Sequence, residues 1–256
     1  MALLIASFDV GVKNLAYCVM HYKSTNESGK QYPIEAWNCI DLTCPGEAEP
    51  LSHCMQLNKS NGKKCTQLAK IVTDDGLHYC MRHNPDKDKY TIKKKTKVAS
   101  LSYETIGNRL MDHLESMEDT LWNRCDHVII EQQFSKNRRM IFLSAILFSY
   151  FLQRGQRNPQ SKISKVKFAS SRNKLLVYDG PEINERTRKN DKDHRKWIAV
   201  KHCEWMLRGD EKYKEFLNKF PKKKDDLSDS FLQGADYLKN DCRVKHQRKK
   251  IIRKKK

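Results

Sequence analysis

The chain has 256 residues, 38% hydrophobic and 32% charged, with 50 Lys and Arg against 31 Asp and Glu for a formal net charge of +19. Its apolar residues fall in runs, which excludes wholesale disorder, and the longest apolar stretch, residues 140–152, is too short for a membrane span and carries Ser144, Ser149 and Tyr150. A field this positive draws polyanions and releases counterions from them, so nucleic acid is the expected partner.

Met1 leads straight into the apolar run 3–8, with no leader-like segment, and the nine cysteines are odd in number and irregular in spacing. The expectation is an intracellular, reducing location, where clustered cysteines suggest metal more than disulfide. Residues 3–8 read as a buried strand ending at Asp9, followed by a turn through Gly11 and Asn14. Residues 15–22 read as a second strand in hairpin with the first, and 34–42 as a third. From 44 to 97 the texture changes to Lys, Asn, Asp and Cys with few apolar runs, the mark of an insertion.

The spacing of Leu101, Ile106, Leu110 and Leu114 predicts a helix over 98–117. Val128, Ile129 and Ile130 form a short buried strand ending at Glu131. Ser135 could cap a helix through Gln153 that Gly155 ends. Its apolar residues, Ile141 to Phe151, suit either the core or a dimer seam. A strand follows at 163–169, then a polar, loop-like stretch over 173–192. Helices are predicted over 195–207 and 225–238. Nine of the fourteen residues from 243 to 256 are Lys or Arg, so the body of the chain is basic without them. The order of elements suits a mixed α/β sheet flanked by helices. The expected organisation is a nuclease domain over 1–43 and 98–241, a Cys/His-rich insertion over 44–97 and a basic tail over 242–256.

Four acids sit where chemistry would want them. Asp9 and Glu131 each end a buried strand, and neighbouring parallel strands would bring them to one sheet edge. Asp226 and Asp229, three apart on a predicted helix, share one face. Asp225 and Asp236 read as solvated surface charges. A cluster of carboxylates repels itself unless cations are present, and oxygen-only donors select Mg²⁺ or Mn²⁺.

The segments Phe8-Asp9-Val10-Gly11-Val12-Lys13-Asn14-Leu15-Ala16, Ile129-Ile130-Glu131-Gln132-Gln133 and Lys224-Asp225-Asp226-Leu227-Ser228-Asp229-Ser230-Phe231-Leu232-Gln233-Gly234 follow the motif order of RuvC-like Holliday junction resolvases. The chain resembles the poxvirus-type branch of large DNA viruses over nearly its whole length, insertion and tail excepted. The resemblance implies a ribonuclease H-like fold, a homodimer, and paired nicks across branched four-way DNA in viral recombination or concatemer resolution, at a site of viral DNA replication. It implies four acidic metal ligands, which map onto Asp9, Glu131, Asp226 and Asp229. It also implies lysines between the second and last motifs, matched here by Lys174 and Lys196. A lysine near the scissile phosphate can stabilise developing charge.

In the insertion, Cys54, Cys65, Cys80 and His83 could form a tetrahedral zinc site, Cys80 and His83 having knuckle spacing. Cys44, His53 and His78 are alternative ligands. A core-poor insertion needs such a staple, and the resemblance does not supply its role. Two competing readings remain: a non-catalytic zinc-containing DNA-binding protein, and another ribonuclease H-like nuclease. The first gives no reason to set acids against phosphate. The late Asp-x-x-Asp helix speaks against the second.

Overall fold

In the computed structural model the described residues are 3–21, 32–43, 53–58, 61–90, 98–134, 136–170, 172–183 and 190–254, with side chains described as far as residue 240. The chain divides into two compact units, Met1–Glu47 with Lys97–Lys256, and Ala48–Thr96.

The larger unit is built on a five-stranded sheet. Strands β1 (Leu4–Asp9), β2 (Leu15–His21) and β3 (Ile34–Ile40) form an antiparallel meander. Strands β6 (His127–Glu131) and β7 (Lys165–Ala169) add in parallel on the far side of β1, giving the order β3-β2-β1-β6-β7. Gly11 makes the return from β1 to β2 possible, since a Cβ there would lie 2.6 Å from the Asn14 carbonyl oxygen.

Strand periodicity sorts the side chains onto two faces. Leu4, Ala6 and Phe8, with Val128 and Ile130, face one core. It is closed by α1 (Tyr103–Ser116) and α2 (Arg138–Tyr150), and Phe8 there packs against Trp122 and Phe151 with ring centroids 5.5 and 5.4 Å apart. Ile5 and Ile129 face a second core, closed by α3 (Asp191–Met206), α4 (Glu211–Lys219) and α5 (Lys224–Lys254). By the same alternation Ser7, Asp9 and Glu131 fall on the α5 side.

Helix α5 lies close against β1 and β2. At Gly234 a Cβ would stand 2.9 Å from Met20 Cε and 3.1 Å from Ser7 Cβ. Gly234→Val should therefore destabilise the protein by about 1–3 kcal/mol through overpacking, read as a lower urea midpoint. An unchanged midpoint would contradict this account of the glycine.

Several boundaries differ from the sequence reading. Helix α2 ends at Tyr150 and continues as a π turn over Phe151–Gln156. Gly155 lies inside that turn and does not end the helix; it is needed because a Cβ there would meet Ile163 Cδ1 at 2.8 Å. Most of the apolar surface of α2 goes to the core: Leu143, Leu147 and Tyr150 are buried, and Phe142, Ile146 and Phe148 pack on the same cluster. Ile141 and Ala145 are left exposed. Helix α3 begins four residues before Arg195, where the Asn190 side chain accepts from the Asp193 amide at 2.8 Å. Helix α4 lies in a stretch to which the sequence reading gave no element. Helix α5 runs past residue 238 to Lys254. The stretch read as a loop over 173–192 holds a 3₁₀ turn at Lys174–Val177. Ser135 lies outside the described residues.

The smaller unit contains the hairpin of β4 (Ile71–Val72) and β5 (His78–Tyr79). Gly76 sits in its turn at φ +77, a conformation glycine adopts without penalty. Bridges pair His53 with Leu68 and Leu57 with Lys64. The buried Cys54, Cys65 and Cys80 form the interior of the unit.

Candidate active site and metal centre

Asp9 and Glu131 are the last residues of β1 and β6, one step beyond the register pair Phe8 and Ile130. Their carboxyls lie close enough to interact. From α5, Gln233 donates to Ser7 Oγ at 3.1 Å and to the Phe8 carbonyl at 3.2 Å, which ties the helix to the strand carrying Asp9. The indole of Trp37 on β3 donates to the Leu227 carbonyl at 3.1 Å and holds the start of α5. Asp226 and Asp229 project from that first stretch of helix.

Lys174 links the elements. Its Nζ lies 2.5 Å from Asp229 Oδ2 and 3.6 Å from Glu131 Oε1, with all three side chains at most 20% exposed. Asp226 accepts from Asn14 Nδ2 at 2.8 Å. Lys196, in the second turn of α3, pairs with Asp225. The structure thus gathers Asp9, Glu131, Asp229 and Lys174, sets Asp226 beside them on α5, and gives Lys196 to an acid that the sequence reading had taken as solvated surface. Among the described residues, the carboxylates do not converge as closely as an ion's donors would, with the Lys174 ammonium between Glu131 and Asp229.

Burial pushes the Asp9 carboxyl well above the ordinary range, and the charges of Glu131 and Asp229 push it further while Lys174 opposes. Burial also raises Asp229, against the pull of Lys174. Asp226 is raised to about 7 by burial and then by Asp225, with Lys196 and Asn14 opposing. Burial works against the charge of Lys174, but Asp229, Asp9 and Glu131 outweigh it and raise its pKa. The hydrogen bond to Asp225 likewise raises Lys196. Asp229 Oδ1 is buried with no hydrogen-bond partner among the described residues, a costly state for a carboxylate oxygen unless a cation meets it.

The cluster lies along a cavity of about 1010 Å³ whose lining includes Glu131, Asp229, Lys174, Arg172, Arg195 and Lys196. Acids and cations lining one cavity are a combination that suits a phosphodiester, since cations can hold phosphate oxygens and carboxylates can hold metal. Phe134 and Leu176 also line the cavity and are 66% and 72% exposed. The sequence reading missed Asn14, Asp225, Phe134 and Gln133, whose Nε2 donates to Glu131 Oε2 at 2.8 Å. The amide-rich run straight after the strand end was the signal for Gln133.

In the smaller unit one ligand atom from each of Cys54, Cys65, Cys80 and His83 lies within 4.8 Å of the others. Cys54 Sγ and Cys80 Sγ stand 3.4 and 3.5 Å from His83 Nδ1. Tetrahedral zinc with Zn–S of about 2.3 Å and Zn–N of about 2.0 Å sets sulfur and nitrogen about 3.5 Å apart, so the donors fit that ion. Cys44 lies outside the described residues. His53 and His78 are not members of the group.

A family model described as mitochondrial resolvase Ydc2 / RNA splicing MRS1 matches residues 5–140. The chain belongs to this family. The matched span includes Asp9 and Glu131 and stops short of α5. A relative from Acanthamoeba polyphaga mimivirus, the uncharacterized protein L451, is 26% identical over 315 residues, covering 91% of this chain and 74% of its own. The crystal structure of the yeast mitochondrial Holliday junction resolvase Ydc2 superposes with a TM-score of 0.51 at 14% identity, covering 96% of this chain and 83% of that one. The sheet and its flanking helices therefore have the ribonuclease H-like resolvase fold. A fowlpox virus resolvase in complex with substrate Holliday junction DNA matches with a TM-score of 0.47 at 16% identity, over 93% of this chain and 97% of that one.

Proposed function

We propose that this protein is a metal-dependent endonuclease that resolves four-way DNA junctions by paired phosphodiester hydrolysis. The observation that carries the reading is the meeting of Asp9, Glu131 and Asp229 around Lys174 beside a basic cavity, in a chain of the resolvase family. A protein that only held nucleic acid would gain nothing from buried acids there. The family description also names an RNA splicing protein, and the acids favour the nuclease.

Asp9, Glu131, Asp226 and Asp229 would hold Mg²⁺ or Mn²⁺. The fit rests on their oxygen-only donor set, the unpartnered Asp229 Oδ1 and the raised Asp9 and Asp226. When bound, such an ion supplies Lewis-acid stabilisation of charge on the phosphate. Lys174 balances Glu131 and Asp229 and can turn its ammonium to a phosphate oxygen. Arg172, Arg195 and Lys196 fix the backbone, and the exposed Phe134 offers a face for a base unstacked at the branch. Two nicks on opposed strands need two such sites, so a homodimer is part of the proposal. Zinc in the Cys₃His group is proposed as a structural ion. The mimivirus relative supports a viral setting, and a role in viral DNA recombination or concatemer resolution inside the cell is part of the proposal. Among the described residues no helix is long and apolar enough to cross a membrane.

The test is incubation with end-labelled four-way, Y-shaped and linear DNA in Mg²⁺, with the nicks mapped. The expected result is symmetric paired nicks on the four-way species and an intact linear duplex. Junction binding without any cutting, or equal cutting of linear duplex, would overturn it.

Asp226 gives the proposal a pH signature. Its folded pKa, about 7, lies above the ordinary carboxylate value, so the fold favours the uncharged form. In metal-free protein that contribution is complete at acid pH and is lost as pH rises through about 7, at most about 2–4 kcal/mol. Melting temperature in chelator should fall from pH 5 to pH 8 more steeply for the parent than for Asp226→Asn. Cutting should rise across the same interval, because only the ionised carboxylate serves a cation. Parallel melting curves for the two proteins would contradict the assignment.

A further inference from the structure

The smaller unit holds a feature that the nuclease reading does not use. A cavity of about 580 Å³ is lined by Gln56, Leu57, Asn58, Arg82, Asn84 and Pro85, along with His83. That volume lies in the range of small-ligand sites, about 300–1,000 Å³. Its wall is rigidly framed. The Met55 amide bonds the His78 carbonyl at 2.9 Å, the Cys65 amide bonds that of Gln56 at 2.9 Å, and the Asn58 amide bonds that of Lys63 at 2.8 Å. Both sides flank the Cys₃His group, Gln56 to Asn58 following Cys54 and Arg82 following Cys80.

The chemistry of the lining is selective. The side-chain amides of Gln56 and Asn58 bond no other described residue, and Arg82 has no ion pair among the described residues. The amide of Asn84 is committed, accepting from the Asp86 amide at 3.1 Å and donating to the Tyr90 carbonyl at 2.7 Å. Leu57 is 49% exposed and presents an apolar wall. Lys63 and Lys64 sit across the bridge from Asn58 and Leu57 and are exposed. Two acids of the unit are engaged elsewhere: Asp74 pairs with Lys89 at 2.6 Å, and Asp86 accepts the amides of Asp88 and Lys89.

Two amides unpartnered among the described residues, beside an apolar wall, with Arg82 in the lining and Lys63 and Lys64 across the bridge, match a nucleobase edge, a nucleobase face and the adjoining phosphates. We propose that this cavity takes an unpaired base of a DNA strand, with Gln56 and Asn58 on its edge, Leu57 against its face, and Arg82, Lys63 and Lys64 at its phosphates. Paired bases cannot enter, because both faces and the Watson–Crick edge are occupied in a duplex. The choice of DNA as the strand rests on the nuclease reading, whereas the recognition of an unpaired base stands without it.

The test uses the zinc-loaded full chain and fluorescence anisotropy with a fluorescein-labelled 12-nucleotide DNA strand, the same strand with its central bases removed as abasic sites, its blunt duplex, and an RNA strand of equal sequence. The parent should bind the base-bearing strand about tenfold more tightly than the abasic one. Gln56→Ala with Asn58→Ala should bind both alike while holding the duplex as before. Leu57→Glu, at an exposed position, should do the same. The proposal is overturned if the parent does not distinguish base-bearing from abasic strands, if both variants, with zinc content equal to the parent's, keep that distinction, or if RNA binds more tightly than DNA. Nicking of four-way DNA by the same preparations reads the nuclease separately: an inactive nuclease that still distinguishes the abasic strand fails there and not here.

Discussion

Asp9→Asn and Asp229→Asn should each slow the cutting of four-way DNA in Mg²⁺ by about a thousandfold or more, while gel-shift affinity for the same junction stays within about twofold of the parent or improves. The reason is a division of labour. Binding comes from counterion release by the basic surface, to which a buried carboxylate contributes only repulsion. On the proposed reading cutting depends on a cation that the acids would hold, and the several kcal/mol such an ion supplies correspond to a factor of this size. Asp229 is the sharper case, since its Oδ1 has no hydrogen-bond partner among the described residues and the amide of Asn would leave a weaker donor set. Asp9→Asn removes a carboxyl that burial, and then the charges of Glu131 and Asp229, raise, so that metal-free variant should melt slightly above the parent, whereas Asp229→Asn also breaks the buried pair with Lys174 and should not. Added Mg²⁺ should then raise the parent more than the variants, because only the parent gains the full linkage. Variants that cut at parental rates would remove these acids from the active site.

The second large effect belongs to the smaller unit. Elemental analysis should find about one zinc per chain, and stripping it with a strong chelator should melt this unit. Its described interior is the Cys54, Cys65 and Cys80 group with Tyr79 packed on it. Burial of that size cannot offset the ordering of some fifty residues, whereas structural zinc contributes on the order of 10 kcal/mol or more. Hydrogen exchange should show the loss directly. The amides of Met55 and Cys65, protected by their bonds to the His78 and Gln56 carbonyls, should exchange freely without zinc. Amides of β1 and β6 should stay protected, since their sheet is closed by apolar cores on both faces. Cys54→Ser and Cys80→Ser should behave like stripped protein. A full complement of protected amides with no zinc bound would end the assignment.

Much of the nuclease unit was legible because two of its strands, β1 and β6, are short apolar runs ended by acids. The run before Asp9 and the triplet before Glu131 place both residues at strand ends, and parity puts both on one face. Lys174 was legible only through the family motif, since its place depends on a 3₁₀ turn in a stretch with no apolar period. Helix α4 escaped because only Tyr213, Phe216 and Leu217 mark its inner side among charged neighbours. Asp225 looked like surface because its partner, Lys196, is 29 residues away in sequence and meets it only after α3 and α5 pack. In the insertion, Cys80 and His83 announce themselves by spacing. Cys54 and Cys65 join them only because the bridges at His53 and Leu57 fold two distant stretches back on one another.

The ammonium of Lys174 between Glu131 and Asp229 has a consequence for selectivity. A monovalent ion that displaces it merely exchanges one unit charge for another and must shed water to do so. A divalent ion replaces one positive charge by two and answers the excess of negative charge that the lysine leaves uncompensated. On the proposed metal-dependent reading, discrimination against Na⁺ and K⁺ would arise from competition with a built-in occupant, without any need for a rigid cage of fixed radius. The metal concentration at which cutting switches on would then be set in part by a side chain outside the proposed ligand set, whose grip can be tuned without touching the chemistry.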